Sequence, residues 1–281
     1  MMEWTSLLKR WSSDHPAIHN FQWNRETTWA SSPTFVLAAV VGYIAVIQAL
    51  SALLERRKNP VPLGYIPTLH NLFLALGSAA MFMGCLQATI AEVGRSSWLW
   101  GPRRSADWVL CFPQGTRAAG PVFFWSYIYY LSKLYELLDT LILILKKRTL
   151  NFLHVFHHAT VIVMCYFWLQ FVQSLQIVAL LTNTAVHVVM YTYYFLCSIN
   201  RPPSWKKVVT NLQIVQFVFS FVASVGTLWL HFKGDGCSGM YAWLFNAFFN
   251  VTLLLLFLDF HSKQYGSNRS SSHETRNDKQ A

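Results

Sequence analysis

The sequence predicts an all-α, polytopic membrane protein with seven transmembrane helices, and three observations predict it. Only 12% of the 281 residues are charged while 54% are hydrophobic, and a soluble domain carries about twice that charge. The apolar residues are gathered into runs free of Asp, Glu, Lys and Arg, each long enough for the helix of about 20 residues that crosses a bilayer. Between alternate runs lie clusters of Lys and Arg, as the positive-inside bias requires.

Pro33–Leu54 is the first span and Leu69–Ala91 the second. Ala118–Leu145 is the third, although it carries Lys133, Glu136 and Asp139. Thr149–Asn200 lacks such charge throughout and is long enough for two spans, with Gln170–Ser174 as the turn between them. Val208–Phe232 and Gly236–Leu258 complete the set. Residues 1–32 are expected to form an N-terminal lumenal arm, 33–261 the seven-helix domain, and 262–281 a disordered cytosolic tail rich in Ser, Asn and charge. The first 32 residues lack the basic-then-apolar layout of a cleavable signal peptide, so the first span is expected to act as the membrane signal.

Seven spans put the termini on opposite sides. With the C-terminus cytosolic, the inside segments hold Arg56, Arg57, Lys58, Lys146, Lys147, Arg148, Arg201, Lys206, Lys207 and the basic residues of the tail. They outnumber the outside set, even though Arg95, Arg103, Arg104 and Arg117 crowd one outside loop. The net charge of +10 is thereby read as topology and lipid-headgroup contact; no run resembles a nucleic-acid-binding motif. The glycosylation patterns at Asn250 and Asn268 are expected to go unused, one in a span and one in the cytosol. Of the five cysteines, Cys85, Cys165 and Cys197 fall in spans and read as packing. Cys111 and Cys237 fall in outside loops, where a bridge between them is a candidate disulfide.

Ionisable groups inside spans are costly and point to pairing or function. In KLYELLDT, Lys133, Glu136 and Thr140 share a helical stripe with Asp139 beside it. In NFLHVFHH, His154, His157 and His158 stand at i, i+3 and i+4 on one face. HVVMYTYY sets His187, Met190, Tyr191 and Tyr194 along a face that also carries Asn183 one turn earlier. TNLQIVQ sets Thr210, Gln213 and Gln216 a turn apart. At 1.5 Å per residue all four groups fall about 9–18 Å into the membrane from its cytosolic side. Matching depth on four helices predicts one polar chamber open to the cytosol.

Three chemistries suit such a chamber. Clustered histidines are a metal-ligand signature, as in His-metal lipid oxidases and hydroxylases, but those use several boxes where this chain has one, with His70 and His231 isolated elsewhere. Histidines at i and i+1 also point about 100° apart on a helix, which suits one shared ion poorly. A cysteine nucleophile would have to be Cys165, about 10 Å along the helix from His158 and too far for the hydrogen bond that activates a thiol. Imidazole itself is a nucleophile and base that stays neutral in a dry pocket, and this reading engages the most residues. A seven-helix receptor or transporter binding a ligand without reaction is the competing class; it gives no reason for three histidines on one face.

KLYELLDT, NFLHVFHH, HVVMYTYY and TNLQIVQ, in that order, resemble the four signature motifs of the ELO-type very-long-chain fatty acid elongases, the 3-ketoacyl-CoA synthases of the endoplasmic reticulum; the resemblance covers about residues 33–265. It implies a decarboxylative condensation of a long-chain acyl-CoA with malonyl-CoA through an acyl-imidazole, in a tunnel enclosed by six of the seven helices, closed on the lumenal side. It needs no cofactor or metal beyond the two CoA substrates. It implies His157 as nucleophile, His187 as its partner, and His158 and His154 as orienting or proton-sharing groups. Lys133, set by Glu136 and Asp139, would meet the malonyl carboxylate or the enolate. Asn183, Tyr191, Tyr194, Gln213, Gln216 and Thr210 are candidates for binding substrate. Expected partners are membrane lipid and the ketoacyl reductase, dehydratase and enoyl reductase of the cycle, with homodimer formation left open. RNDKQA offers only Lys279 where many relatives carry a lysine retrieval signal, so residence in the endoplasmic reticulum follows from the resemblance alone.

Overall fold

The computed structural model describes residues 14–100 and 107–265, without the side chains of 95–100. The beginning of the expected arm, the side chains of Arg95, Arg103 and Arg104, the expected tail from residue 266 and the glycosylation pattern at Asn268 lie outside the described residues. Those residues form helices α1 (Pro16–His19), α2 (Pro33–Glu55), α3 (Ile66–Trp100), α4 (Pro121–Tyr135), α5 (Leu137–Leu145), α6 (Phe152–Gln170), α7 (Gln176–Ser198), α8 (Lys206–Lys233) and α9 (Met240–Tyr265). Among them there is no β-strand, only the isolated bridges Gln22–Ala119 and Pro113–Cys237.

The chain is a multi-pass membrane protein: α2, α3, α6, α7, α8 and α9 are each long and apolar enough to cross a bilayer. The segment expected as a further span is divided at Glu136 into α4 and α5. The ladder tightens there, with Asp139 N–H donating to Glu136 O at 3.0 Å, an i→i−3 bond of the 3₁₀ kind. One turn earlier the Ser132 hydroxyl bonds back to Tyr129 O at 2.8 Å, a contact that bends helices. The outer surface is apolar, with Leu37, Phe73, Val222 and Leu255 all exposed, which suits lipid and would be a liability in water.

Local chemistry fixes the ends of the helices. Ser32 caps α2 by accepting from Phe35 N–H at 3.1 Å, with Pro33 in the first turn. Asn151 caps α6 by accepting from His154 N–H at 2.8 Å, which starts the helix just ahead of the histidines. α5 ends with Lys147 left-handed at φ 56°; Arg148 N–H then bonds Leu143 O and Lys147 N–H bonds Ile144 O, a Schellman motif. α7 ends the same way at Asn200, φ 60°.

Helix neighbours run in a closed order, α3–α7–α8–α9–α6–α4 and back to α3, while α2 packs outside against α5 and α6. The basic turns gather at one end. Val61 N–H bonds Leu145 O at 2.9 Å, Lys147 Nζ donates to Leu54 O, and the Lys207 ammonium lies over the Tyr265 ring. At the other end a disulfide joins Cys111 to Cys237, Cα–Cα 5.1 Å, and Ser174 Oγ links Phe112 N–H to Ser238 O. The described part of the arm covers that end: Trp23 Nε1 donates to Gln170 Oε1, and Tyr130 OH donates to Ala30 O. Asn250 is buried within α9, donating to Ser220 Oγ at 3.2 Å.

Candidate active site

The polar groups of α4 and α7, with Glu136 at the end of α4, build one buried cluster. Lys133 and Glu136 are each 1% exposed, with Nζ 2.7 Å from Oε1. A buried pair is tolerable only with near-ideal geometry and further hydrogen bonds, and the helix opposite supplies them. Asn183 Oδ1 accepts from Tyr129 OH at 2.7 Å and faces the ammonium at 3.4 Å, which also lies 4.3 Å from the centre of the Tyr129 ring. His187 Nδ1 stands 3.5 Å from Lys133 Nζ and 3.6 Å from Glu136 Oε1. That nitrogen accepts from the ammonium when bare and donates to the carboxylate when protonated, so the three groups can share protons over short paths.

Asp139 belongs to a different arrangement from the one expected. It accepts from Tyr191 OH at 2.7 Å and pairs with His70 Nε2 on α3, also at 2.7 Å. The change of direction follows from the break at Glu136, beyond which α5 no longer continues the stripe of α4. The Tyr191 ring meets the His187 ring edge-on at 5.3 Å, so the two networks touch. Sequence reasoning set His70 aside as isolated, since nothing local signals a partner 69 positions away.

The three box histidines diverge. His154 Nε2 lies 2.8 Å from Thr140 Oγ1, which is itself 2.8 Å from Tyr43 OH on the outlying α2. The His158 ring, buried behind it, is 4.4 Å from that of His154. His157 meets the His158 ring edge-on at 5.4 Å and lines a cavity whose wall also includes Tyr129, Trp168, Asn183, Gln216 and Asn246. Its ring stacks on Phe249 at 6.2 Å and 12°, and its Nδ1 is buried with no hydrogen-bond partner among the described residues. His157, Val161, Met164 and Trp168 form one stripe along the cavity, about 16 Å in length.

The remaining candidates divide. Gln216 lines the cavity, while Gln213 donates to Met190 Sδ at 3.3 Å and Thr210 lies 3.5 Å from Tyr265 OH near the basic end. Tyr194 packs on Tyr191 and is 42% exposed. Cys165 is buried in the core and does not line the cavity. Among the described residues no three His, Cys, Asp or Glu side chains converge as metal ligands. Asn246 and Phe249 escaped the sequence reading, and Asn250 entered it only as an unused glycosylation pattern within a span; Asn at i and i+4 in an apolar span was the signal available.

An all-helical, multi-pass membrane protein with a buried Lys–Glu–His cluster beside a histidine-lined cavity is the class these observations define. Residues 28–273 match the model of the ELO (GNS1/SUR4) family. The chain is 38% identical over 264 residues to "Fatty acid elongase 3-like" of Arabidopsis thaliana, covering 92% of this chain and 91% of that protein. It is 33% identical to "Fatty acid elongase A" of Dictyostelium discoideum, covering 92% and 93%. To "Very long chain fatty acid elongase 5" of Rattus norvegicus it is 32% identical, covering 86% and 78%. The chain belongs to the ELO family.

Proposed function

We propose that the protein elongates fatty acids as a 3-ketoacyl-CoA synthase, condensing a long-chain acyl-CoA with malonyl-CoA. The observation that carries the reading is His157 in the wall of a cavity whose lining includes Asn183, the residue that also faces Lys133. In the first half-reaction an imidazole nitrogen attacks the thioester carbonyl; the C–S bond breaks, the imidazole proton passes to the thiolate, and CoA leaves as its thiol. In the second, malonyl-CoA loses carbon dioxide and its electron pair becomes an enolate. That carbon attacks the acyl-imidazole, the C–N bond breaks, and one proton restores the imidazole.

Lys133 would meet the malonyl carboxylate or the enolate oxygen, with Glu136 and His187 holding its charge and passing protons; Asn183 and Gln216 would orient the thioester. The buried setting supports this division, since fixed donors act most strongly where water is excluded. Membrane placement follows the same reading. The Ala118–Leu145 segment counts as the seventh span, and six helices form a tunnel opening at the basic end. That end faces the cytosol, where CoA thioesters are found, and the N-terminus is lumenal in the endoplasmic reticulum. The reductases and dehydratase of the cycle would take the product onward.

The test is incorporation of labelled malonyl-CoA by purified protein, with the His157 peptide isolated from reactions lacking malonyl-CoA. An acyl group on that peptide, and loss of incorporation in His157→Ala, are expected. Full condensing activity in His157→Ala would refute the covalent route, and no incorporation across a range of acyl-CoA lengths would favour a non-reacting binding protein.

A further inference from the structure

The wall of the cavity carries more hydrogen-bonding groups than a plain hydrocarbon chain can use. Past His157 it includes Thr182, Ser220, Asn246 and Asn250. Three of these have partners within the protein: Thr182 Oγ1 donates to Val178 O at 2.8 Å, and Asn250 Nδ2 donates to Ser220 Oγ at 3.2 Å. Asn246 is different. It is 1% exposed and lines the cavity, and neither its Oδ1 nor its Nδ2 has a hydrogen-bond partner among the described residues. Trp168, also 1% exposed and on the same wall, holds an indole N–H with no partner among the described residues.

Buried amides left unpaired are rare because they lose their bonds to water and gain nothing. In a membrane interior, where no solvent competes, a leucine at this position would cost nothing and fill space as well. An amide facing a cavity with both a donor and an acceptor free matches a group that is itself both. A hydroxyl is such a group. A carboxylate is not matched, since among the described residues no Lys or Arg lines this cavity, and a ketone would engage only the donor.

Asn246 stands one turn from Phe249, the residue stacked on His157, so it lies about 5 Å further along α9. Trp168 lies about 16 Å along α6 from His157. A group reaching them sits in the interior of a chain whose first carbon is at His157, beyond the carbons next to the thioester. We propose that Asn246 recognises a hydroxyl on the acyl chain, and that the substrates of this protein include long-chain acyl thioesters hydroxylated in the chain interior. The inference rests on the reading of this cavity as the site of the acyl chain.

The experiment measures kcat/KM with labelled malonyl-CoA for a series of acyl-CoAs of one length. The series is the unsubstituted chain and chains with a single hydroxyl moved stepwise from the thioester towards the far end. One interior position should be preferred over the unsubstituted chain by about tenfold, the worth of one buried hydrogen bond. In Asn246→Leu the ratio of hydroxylated to unsubstituted turnover should fall by the same factor; Asn246→Ser supplies a second variant if the leucine protein does not fold. A wild-type profile with no preferred hydroxyl position overturns the inference, and so does a variant that lowers both substrates in equal proportion, which would make Asn246 a packing residue. Absence of incorporation with every acyl-CoA, the unsubstituted chain included, overturns instead the reading of the protein as a condensing enzyme.

Discussion

The pair formed by Lys133 and Glu136 is the most exacting feature of the site, and a double-mutant cycle measures it. Both side chains are 1% exposed with charged atoms 2.7 Å apart, so removing either leaves its partner charged and buried. Breaking a buried pair from one side costs about 3–5 kcal/mol. Glu136→Gln and Lys133→Met are each expected to destabilise the detergent-purified protein by that amount in equilibrium unfolding. The combined variant removes the charge altogether. It should lose about 2 kcal/mol or more less than the sum of the single losses, a coupling typical of groups in direct contact. Glu136 also stands 3.6 Å from His187 and 3.4 Å from Ser132 Oγ, so the double variant should remain somewhat less stable than the wild type. Losses that simply add, or single variants as stable as the wild type, would mean that the two groups are not paired, and the proton-sharing cluster drawn from their geometry would be wrong.

Two further predictions test the Asp139 network beside this cluster and the disulfide end of the molecule. His70→Phe keeps a ring against Tyr135, now 5.2 Å from that of His70, but removes a partner from Asp139; kcat should fall about 10–100-fold, as for loss of a charge-assisted hydrogen bond, with His70→Gln recovering part of it. Equal activity in wild type and His70→Phe would show that the Asp139–Tyr191 bond needs no support from α3. At the disulfide end, Gly239 has φ +71°, and a Cβ there would lie 2.6 Å from Gln173 Cα and 2.7 Å from the carbonyl oxygens of Phe171 and Val172. Gly239→Ala should therefore cost about 2–4 kcal/mol in thermal unfolding, a left-handed penalty plus a clash with backbone that cannot move aside. Gly115→Ala, at φ +82° with open space around it, should show only the penalty of about 1–2 kcal/mol.

Much of this molecule is written in one dimension. Charge-free runs, the caps at Ser32 and Asn151, and the helix-ending sequences after Leu145 and Ser198 depend on residues within a few positions of one another, so six of the expected spans are each covered by one apolar helix, while Ala118–Leu145 is divided at Glu136. The four polar motifs were equally legible, because an ionisable group in an apolar run is costly wherever it occurs. What each group touches was not. Lys133 and Glu136 pair within one stretch of chain, and that contact follows from their spacing. The turn at Glu136 sends Asp139 to His70 and Tyr191, and Thr140 to His154 and Tyr43, across helices that sequence spacing cannot relate.

By itself, then, the sequence determined which segments form apolar helices that prefer lipid, and which residue types are held in an apolar interior. Those outcomes follow from short-range sterics, capping and the cost of taking charge out of water. Only the tertiary structure decided that His157 lines the cavity while His154 and His158 do not, that His70 belongs beside Asp139, and that Asn246 in the cavity wall has no partner among the described residues. Those relations depend on the relative rotation and tilt of helices far apart in the chain, which packing of whole helix faces sets and no local pattern encodes.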